Sequence, residues 1–272
     1  MELGPGPLLV DRVAVVTGGG AGIGRGIVEL FARHGATVVV ADIDPELVAG
    51  LPDGVAGHVC DVRDVDQLDA FVAETIERHG APQVLVNNVG HYLFRGVPFA
   101  ETTEAEWHEL YRTNLEHVFR ATHRFLPAMI VAGRGGSIVN LSTVEGVRGV
   151  PGQPIYSAFK AGVSAFTRSL ALQVSEHGIR INDIAPDVTE TPQLPYRAWL
   201  DDTEYARADR WVPLGRFGTP ADHAGVALFL ASDLSGFVTG ATIPVDGGTL
   251  VAGGWYRTDK DGRTWTNRPF DA

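Results

Sequence analysis

Short apolar runs alternate with longer stretches of helical period along most of this chain, and that alternation narrows the folds open to it more than any other feature. "RVAVVT" (12–17), "ATVVVA" (36–41), "GHVCD" (57–61), "QVLVNN" (83–88), "GSIVNLS" (136–142), "IRINDIA" (179–185) and "ATIPV" (241–245) read as strands. Several are nearly continuous in apolar residues, as expected of strands covered on both faces. Between the first two runs, Ile23, Ile27, Leu30 and Phe31 recur at helical spacing. "DVDQLDAFVAETIERHG" (64–80) carries the same period, and Gly80 suits a helix stop. Such an alternation predicts an α/β chain, a parallel sheet with helices on both faces. No repeat, low-complexity run or linker divides residues 1–272, so one unit is expected.

Two stretches interrupt the pattern. Residues 187–219 are rich in proline, acids and aromatics, among them Tyr196, Trp199, Tyr205 and Trp211. A long irregular segment of that kind predicts a lid. Residues 249–272 follow the last strand and carry Trp255, Tyr256, Trp265 and Phe270. Aromatics are scarce in disordered tails, so this extension is expected to pack, either on the lid or, the preferred reading, on a neighbouring subunit.

"TGGGAGIG" (17–24) closes the first strand and opens the first helix. Glycines there let the backbone turn tightly and approach a pyrophosphate that a helix N-terminus attracts. The plain alternative is a loop needing positive φ. The spacing Gly18-x-x-x-Gly22-x-Gly24 fits neither G-x-G-x-x-G nor a P-loop. Asp42 ends the second strand, where a carboxylate can accept both adenosine ribose hydroxyls and repel a 2′-phosphate. Asp44 reads as an ordinary turn residue. Arg25 is the one nearby cation that could welcome a phosphate. The expectation is NAD, with NADP disfavoured.

"YSAFK" (156–160) places a tyrosine and a lysine one helical turn apart on one face. A nearby ammonium stabilises phenolate and is expected to lower the tyrosine pKa. Tyr156 could then serve as general base when an alcohol is oxidised and as general acid in reverse.

With the glycine turn, "NNVG" (87–90), Asn114 and "YSAFK" in this order, the chain resembles the short-chain dehydrogenases/reductases of the Tyr-x-x-x-Lys group, from about Arg12 to "VDGG" (245–248). The resemblance implies a single Rossmann-type, doubly wound parallel sheet of seven strands in the order 3-2-1-4-5-6-7, and a nicotinamide cofactor. It implies that Gly18, Gly22, Ile23 and Gly24 line the pyrophosphate, that Asp61 and Val62 meet the adenine, and that Asn88 and Gly90 lie beside the adenosine-side ribose. Lys160 would also bind the nicotinamide ribose, and Asn114 would hold a water linking Lys160 to solvent. The family's substrate-binding serine usually stands thirteen positions before the tyrosine, which here is Thr143, with Ser142 just before it. Threonine offers the same hydroxyl donor. Thr143 is preferred, and Ser142 takes the role if the loop holds one extra residue. The usual Pro-Gly after strand six is "APDVTETP", with Asp187 in place of glycine. Strain is expected if that position keeps a glycine-like backbone. Thr189 and Thr191 would contact the carboxamide or phosphates.

By the same resemblance, His91, Glu145, Gln153 and residues 187–212 face the substrate. A solvated loop histidine explains His91 equally well. A carboxylate at Glu145 disfavours carboxylate or phosphate substrates, and the lid aromatics suit an apolar or cyclic body. No metal-ligand set is read.

The formal net charge of -11 disfavours nucleic acid and anionic membrane surfaces as partners. No apolar run approaches a membrane span, and "MELGPGPLLV" does not read as a signal peptide. A single cysteine, Cys60, fits a reducing cytoplasm. Small residues Ala158, Ala161, Gly162 and Ala165 on the Tyr156 helix permit a partner helix to approach. The family commonly assembles through that helix and the one bearing Asn114, so a homotetramer is expected, or failing that a dimer. The reading that results is an NAD-dependent dehydrogenase of a secondary alcohol and its ketone. A 3-oxoacyl thioester reductase is the enzymatic rival, though the NADPH preference usual among such reductases runs against Asp42. A non-catalytic NAD-binding sensor is the remaining alternative, and its mark, loss of the tyrosine or lysine, is missing.

Overall fold

The computed structural model of the chain describes residues 6–93, 98–257 and 265–266. Its main strands are β1 (Val13–Thr17), β2 (Thr37–Asp42), β3 (Ala56–Val59), β4 (Val84–Asn87), β5 (Gly136–Leu141), β6 (Ile179–Pro186) and β7 (Thr242–Val245). They pair in parallel in the order β3-β2-β1-β4-β5-β6-β7, as the family resemblance implies. The helices are α1 (Gly22–Arg33), α2 (Pro45–Ala49), α3 (Val65–His79), α4 (Glu104–Tyr111), α5 (His117–Ala132), α6 (Pro154–Val174), α7 (Tyr196–Trp199), α8 (Asp202–Ala206), α9 (Pro220–Ala231) and α10 (Thr249–Ala252).

The continuous apolar strands have a direct cause. In β1, Ala14 and Val16 face a core with Ile27, Val28 and Phe31 of α1 and Ala227 and Leu230 of α9. Val13 and Val15 face the opposite core, with Leu68 and Phe71 of α3, Phe125 and Met129 of α5, and Ala171 and Val174 of α6. Each fully buried Leu, Ile or Phe in these layers contributes roughly 1.5–3 kcal/mol. Helix α3 starts where Asp64 accepts from the Asp66 and Gln67 amides, and it stops at Gly80 (φ 79°).

A buried polar thread ties the sheet to the two helices that matter most below. Asn87 Nδ2 donates to Asn140 Oδ1 (2.8 Å) and Thr122 Oγ1 (3.1 Å), and Asn140 Nδ2 donates to Thr167 Oγ1 (2.8 Å). Strands β4 and β5 thereby grip α5 and α6. The connections from β1 run first toward β2 and β3, then cross back to β4 and beyond. The C-terminal ends of β1 and β4 thus open a crevice where the winding reverses, the usual ligand site of such sheets.

Residues 187–219, the lid of the sequence reading and so labelled below, depart from the irregular segment expected. They fold into α7, α8 and a 3₁₀ turn (Ala208–Arg210), around Val188, Ala208, Val212 and Phe217 packed by Tyr196, Leu200 and Tyr205. Tyr196 stacks on Phe217 at 4.7 Å. The base of the lid is closed where Val188 O accepts from Gly218 N (3.0 Å) and Gly218 O accepts from Glu190 N (2.8 Å). These helices are too short to show a period, so sequence alone reads them as loop.

The extension forms α10 and a small antiparallel pair, β8 (Tyr256–Arg257) and β9 (Trp265–Thr266). Arg257 Nη2 donates to Pro213 O (2.9 Å), and β8 packs beside the 3₁₀ turn of the lid. The described part of the tail therefore lies on the chain's own lid, the destination not preferred from the sequence. Trp255 is half exposed. The side chains of Tyr256 and Trp265, and all of Phe270, lie outside the described residues. Ala158 and Ala165 are exposed on α6, whereas a Cβ at Gly162 would meet Leu115 Cδ2 at 3.1 Å. That small residue serves packing within the chain. Among the described residues no helix is long and apolar enough to cross a membrane.

Candidate active site

One cavity of about 960 Å³ runs from the ends of β1 and β2, past α6, to the lid. Of the residues singled out from the sequence, Gly18, Gly22, Ile23, Asp42, Asp61, Val62, Asn88 and Gly90 line it toward the glycine turn. Ser142, Thr143, Tyr156, Lys160, Thr189 and Thr191 line its middle, and His91, Glu145 and Gln153 its lid end. Gly24 and Asn114 stand behind the wall.

The glycine turn is built by backbone proximity. Asn88 Nδ2 donates to Thr17 O (3.0 Å) and Gly18 O (2.9 Å), tying the turn to the end of β4. A Cβ on Gly24 would sit 2.1 Å from Gly18 O, so only glycine lets the turn fold onto the helix. Helix α1 begins at Gly22 with no side-chain cap and no acid in its first turn. Its first amides and positive dipole end are left for an anion. Asp42 is buried at the end of β2, where Oδ2 accepts from Gly20 N (2.8 Å) and Oδ1 from Asp44 N (3.2 Å). Asp44 is the N-cap of α2, the structural reading made for it. Arg25 donates to Glu29 Oε1 (2.7 Å) and Gly50 O (2.8 Å), so its guanidinium is already engaged. Burial acts against the Asp61 charge, but the Arg63 guanidinium and amide hold its carboxyl below the usual range. A turn with open amides, an acid at the second strand end and a long cleft between them fit a dinucleotide.

Pro154 at the first helical position starts α6 just after Gln153. Lys160 Nζ donates to Leu141 O (2.9 Å) and lies 5.9 Å from the Tyr156 ring centroid. Gly90 makes room for it, since a Cβ there would fall 2.5 Å from Nζ. Burial pushes the Lys160 ammonium down to about 8, with the Asp183 carboxylate opposing. The tyrosine behaves opposite to the sequence expectation. Burial, then the carboxylate of Glu145 and the neighbouring Tyr92, push the Tyr156 hydroxyl up. Helical spacing brings the ammonium near the ring, but it does not disclose how dry the site is, and in the protein alone desolvation wins.

Asn114 occupies a π-helical turn, Arg112–Glu116, between α4 and α5. Its Oδ1 accepts from His91 N (3.0 Å), and its Nδ2 donates to His91 O (2.8 Å) and Leu110 O (3.0 Å). The amide thus positions the loop after β4. His91 Nδ1 accepts from Leu93 N (2.7 Å), and Leu93 stands at φ 50°. His91 is thus a partly buried loop residue whose ring is held by the chain that follows it.

Toward the lid, Ser142 donates to Ile184 O (3.3 Å) and Thr143 to Pro186 O (3.1 Å). Tyr92 Oη donates to Gln193 O (3.1 Å), bridging the cleft to the lid. Thr191 Cβ lies 3.6 Å from where a Cβ on Gly22 would stand, so the lid base also touches the glycine turn. Asp187 carries no strain, because among the described residues only Asp11 and Leu93 are non-glycines with positive φ. Its buried carboxylate instead accepts from Arg148 Nη2 (2.6 Å) and from the Thr249 hydroxyl of α10.

Sequence reasoning missed two buried histidines. His117 of α5 is fully buried, and burial and the Lys160 charge push it down to about 3. His223 of α9 is also fully buried, with Nε2 2.7 Å from Thr189 Oγ1, and burial pushes it down to about 4. A histidine inside an apolar run, as in "NLEHVF" and "ADHAGVALF", was the available signal.

A parallel doubly wound sheet, a glycine turn at its switch point and a tyrosine–lysine pair across the same cleft define a nicotinamide-dependent oxidoreductase of Rossmann type. The family model described as enoyl-(acyl carrier protein) reductase matches residues 18–249. The chain is 40% identical over 253 residues to the 3-oxoacyl-[acyl-carrier-protein] reductase of Thermotoga maritima, covering 89% of this chain and 99% of that protein. It is 36% identical over 253 residues to the 4-formylbenzenesulfonate dehydrogenase of Comamonas testosteroni, with 89% and 99% covered. The solved levodione reductase superposes with a TM-score of 0.82 at 33% identity, over 90% of this chain and 99% of that one. The chain belongs to the short-chain dehydrogenase/reductase family, whose members act on CH–OH groups and their carbonyl counterparts.

Proposed function

We propose that residues 1–272 form one catalytic unit that moves a hydride between a secondary alcohol, or its ketone, and NAD. The observation that carries this is the placement of Lys160 Nζ 5.9 Å from the Tyr156 ring, on the wall of a cleft that continues to the glycine turn. Gly18, Gly22, Ile23 and the α1 amides would hold the diphosphate, Asp42 the adenosine ribose, Asp61 and Val62 the adenine, and Thr189 and Thr191 the nicotinamide side. The nicotinamide ring supplies hydride exchange with the carbinol carbon. Thr143, or Ser142 beside it, holds the substrate oxygen, and Tyr156 exchanges the proton on that oxygen. Because burial keeps Tyr156 protonated, it is ready to donate when a ketone is reduced. In oxidation Tyr156 first releases its own proton toward Lys160 and the π turn, and the phenolate then takes the proton of the substrate hydroxyl. There Asn114 would hold a water that carries the proton to solvent.

NAD is favoured over NADP by the Asp42 carboxylate and by the engagement of Arg25 elsewhere. A second reading, reduction of a 3-oxoacyl thioester, is favoured by the 40% identity to a protein of that name. The single thiol suits a reducing cytoplasm. Exposed Ala158 and Ala165 on α6 support a homotetramer, with a dimer as the smaller assembly. A monomeric mass by light scattering at micromolar concentration would overturn it.

Tyr156→Phe tests the reaction. Loss of a positioned proton donor costs about 10²–10⁴-fold, so kcat should fall by that factor while NADH affinity, read by fluorescence, stays within about threefold. Near-full turnover in the variant would sink the assignment.

A further inference from the structure

The lid end of the cavity carries a carboxylate with no hydrogen-bond partner among the described residues. Glu145 sits in the 3₁₀ turn after β5 (Val144–Gly146) and lines the cavity close enough to Tyr156 for its charge to act on the phenol. Its carboxyl makes no hydrogen bond among the described residues. The cation one turn away, Arg148, is bound to Asp187 at 2.6 Å. That pair cancels its own charge, so the three side chains together carry one net negative charge; Asp187 and Glu145 both line the chamber, and Glu145 is the one that does not hold Arg148. Burial and the Asp187 charge push the Glu145 carboxyl up, with Arg148 opposing, as expected of an acid short of partners. The rings of Tyr196, Trp199 and Trp211 line the same cavity.

We infer that Glu145 binds a second hydrogen-bond donor on the substrate, so that the enzyme's substrates are secondary alcohols on an apolar ring that carry a neighbouring hydroxyl or ammonium group. This rests on the proposed function and names the substrate class for that site. The physical reason is the charge-assisted hydrogen bond that a carboxylate on the cavity wall offers to a donor placed beside it. A substrate that donates to Glu145 makes that bond, a plain alcohol does not, and an anion is repelled. A donor to a charged acceptor is worth about 10- to 100-fold in discrimination.

The test uses the full chain with NAD and four probes of one ring size: cyclohexanol, cyclohexane-1,2-diol, 2-aminocyclohexanol and 2-hydroxycyclohexanecarboxylate. The expected order of kcat/KM places the diol or the amino alcohol about 10- to 100-fold above cyclohexanol, with the carboxylate last. The diol and the amine arms tell which donor is preferred. In Glu145→Leu the ratio of diol to cyclohexanol should fall to about one, and Glu145→Gln should keep part of it. Equal use of diol and cyclohexanol by the wild type, an unchanged ratio in Glu145→Leu, or a preference for the carboxylate would overturn the inference while leaving hydride transfer intact. If the wild type oxidises none of the four, calorimetric binding of diol and cyclohexanol to the NADH complex decides. Tighter diol binding that is lost in Glu145→Leu supports the inference, and equal binding overturns it.

Discussion

At the glycine-turn end of the cleft, position is set by main chain; at the lid end, by side chains on loops. Gly18, Gly24 and Gly90 are held against Asn88, the turn itself and Lys160 at distances that admit no Cβ without displacement. The lid end is held by Tyr92 reaching Gln193, Arg148 reaching Asp187, and stacked aromatics. Backbone proximity tolerates little change and presents the same surface to every ligand. Side-chain contacts can be exchanged one at a time. One fold can therefore keep its cofactor and change its substrate, which suits relatives named for substrates as unlike as an acyl thioester and a benzenesulfonate aldehyde.

The contrast can be broken most sharply at Gly90. Gly90→Ala places a methyl 2.5 Å from Lys160 Nζ, which must move. A displacement near 1 Å in a catalytic group costs about 10²-fold, so kcat/KM should fall by about that much with the melting temperature little changed. Turnover within threefold of wild type would show that this wall is not as rigid as its distances imply.

Next in size is Asp42→Ala, a side-chain change at the backbone-built end. Loss of a charged hydrogen-bond acceptor should lower kcat/KM with NAD by about 10-fold or more, and NADP should gain. Equal use of both cofactors by the wild type would contradict the NAD assignment.

The smallest effect compares the two buried histidines, His117 beneath Lys160 and His223 behind the lid base. Both are pushed below their ordinary value of 6.5, to about 3 and about 4. Between those values and 6.5 the unfolded chain binds more protons than the folded one. Stability is therefore full above about 6.5 and is lost as pH falls toward 4. Melting temperature followed from pH 7 to 4.5 should drop less steeply in His117→Leu and His223→Leu than in the wild type. Parallel slopes in all three proteins would assign the acid loss to other groups.

The sheet was legible from the sequence because its strands are buried on both faces and read as unbroken apolar runs. Most of the cavity wall was legible because glycines and the Tyr156–Lys160 pair carry their geometry in their spacing. The sign of the Tyr156 shift was not, because it depends on how far the fold buries the ring and on the charges of Glu145 and Tyr92 beside it, which helical spacing does not disclose. At Asp187 the sequence left open either strain or a backbone that suits a side chain. Its partners, Arg148 and Thr249, lie 39 and 62 positions away, and no local pattern announces them.

That one carboxylate gives the molecule a knot where three strings meet: the loop after β5, the first residue of the lid, and the helix that opens the C-terminal extension. A substitution at Thr249 in the extension therefore reaches, through Asp187, a wall residue of the chamber and the loop after β5 that holds Arg148.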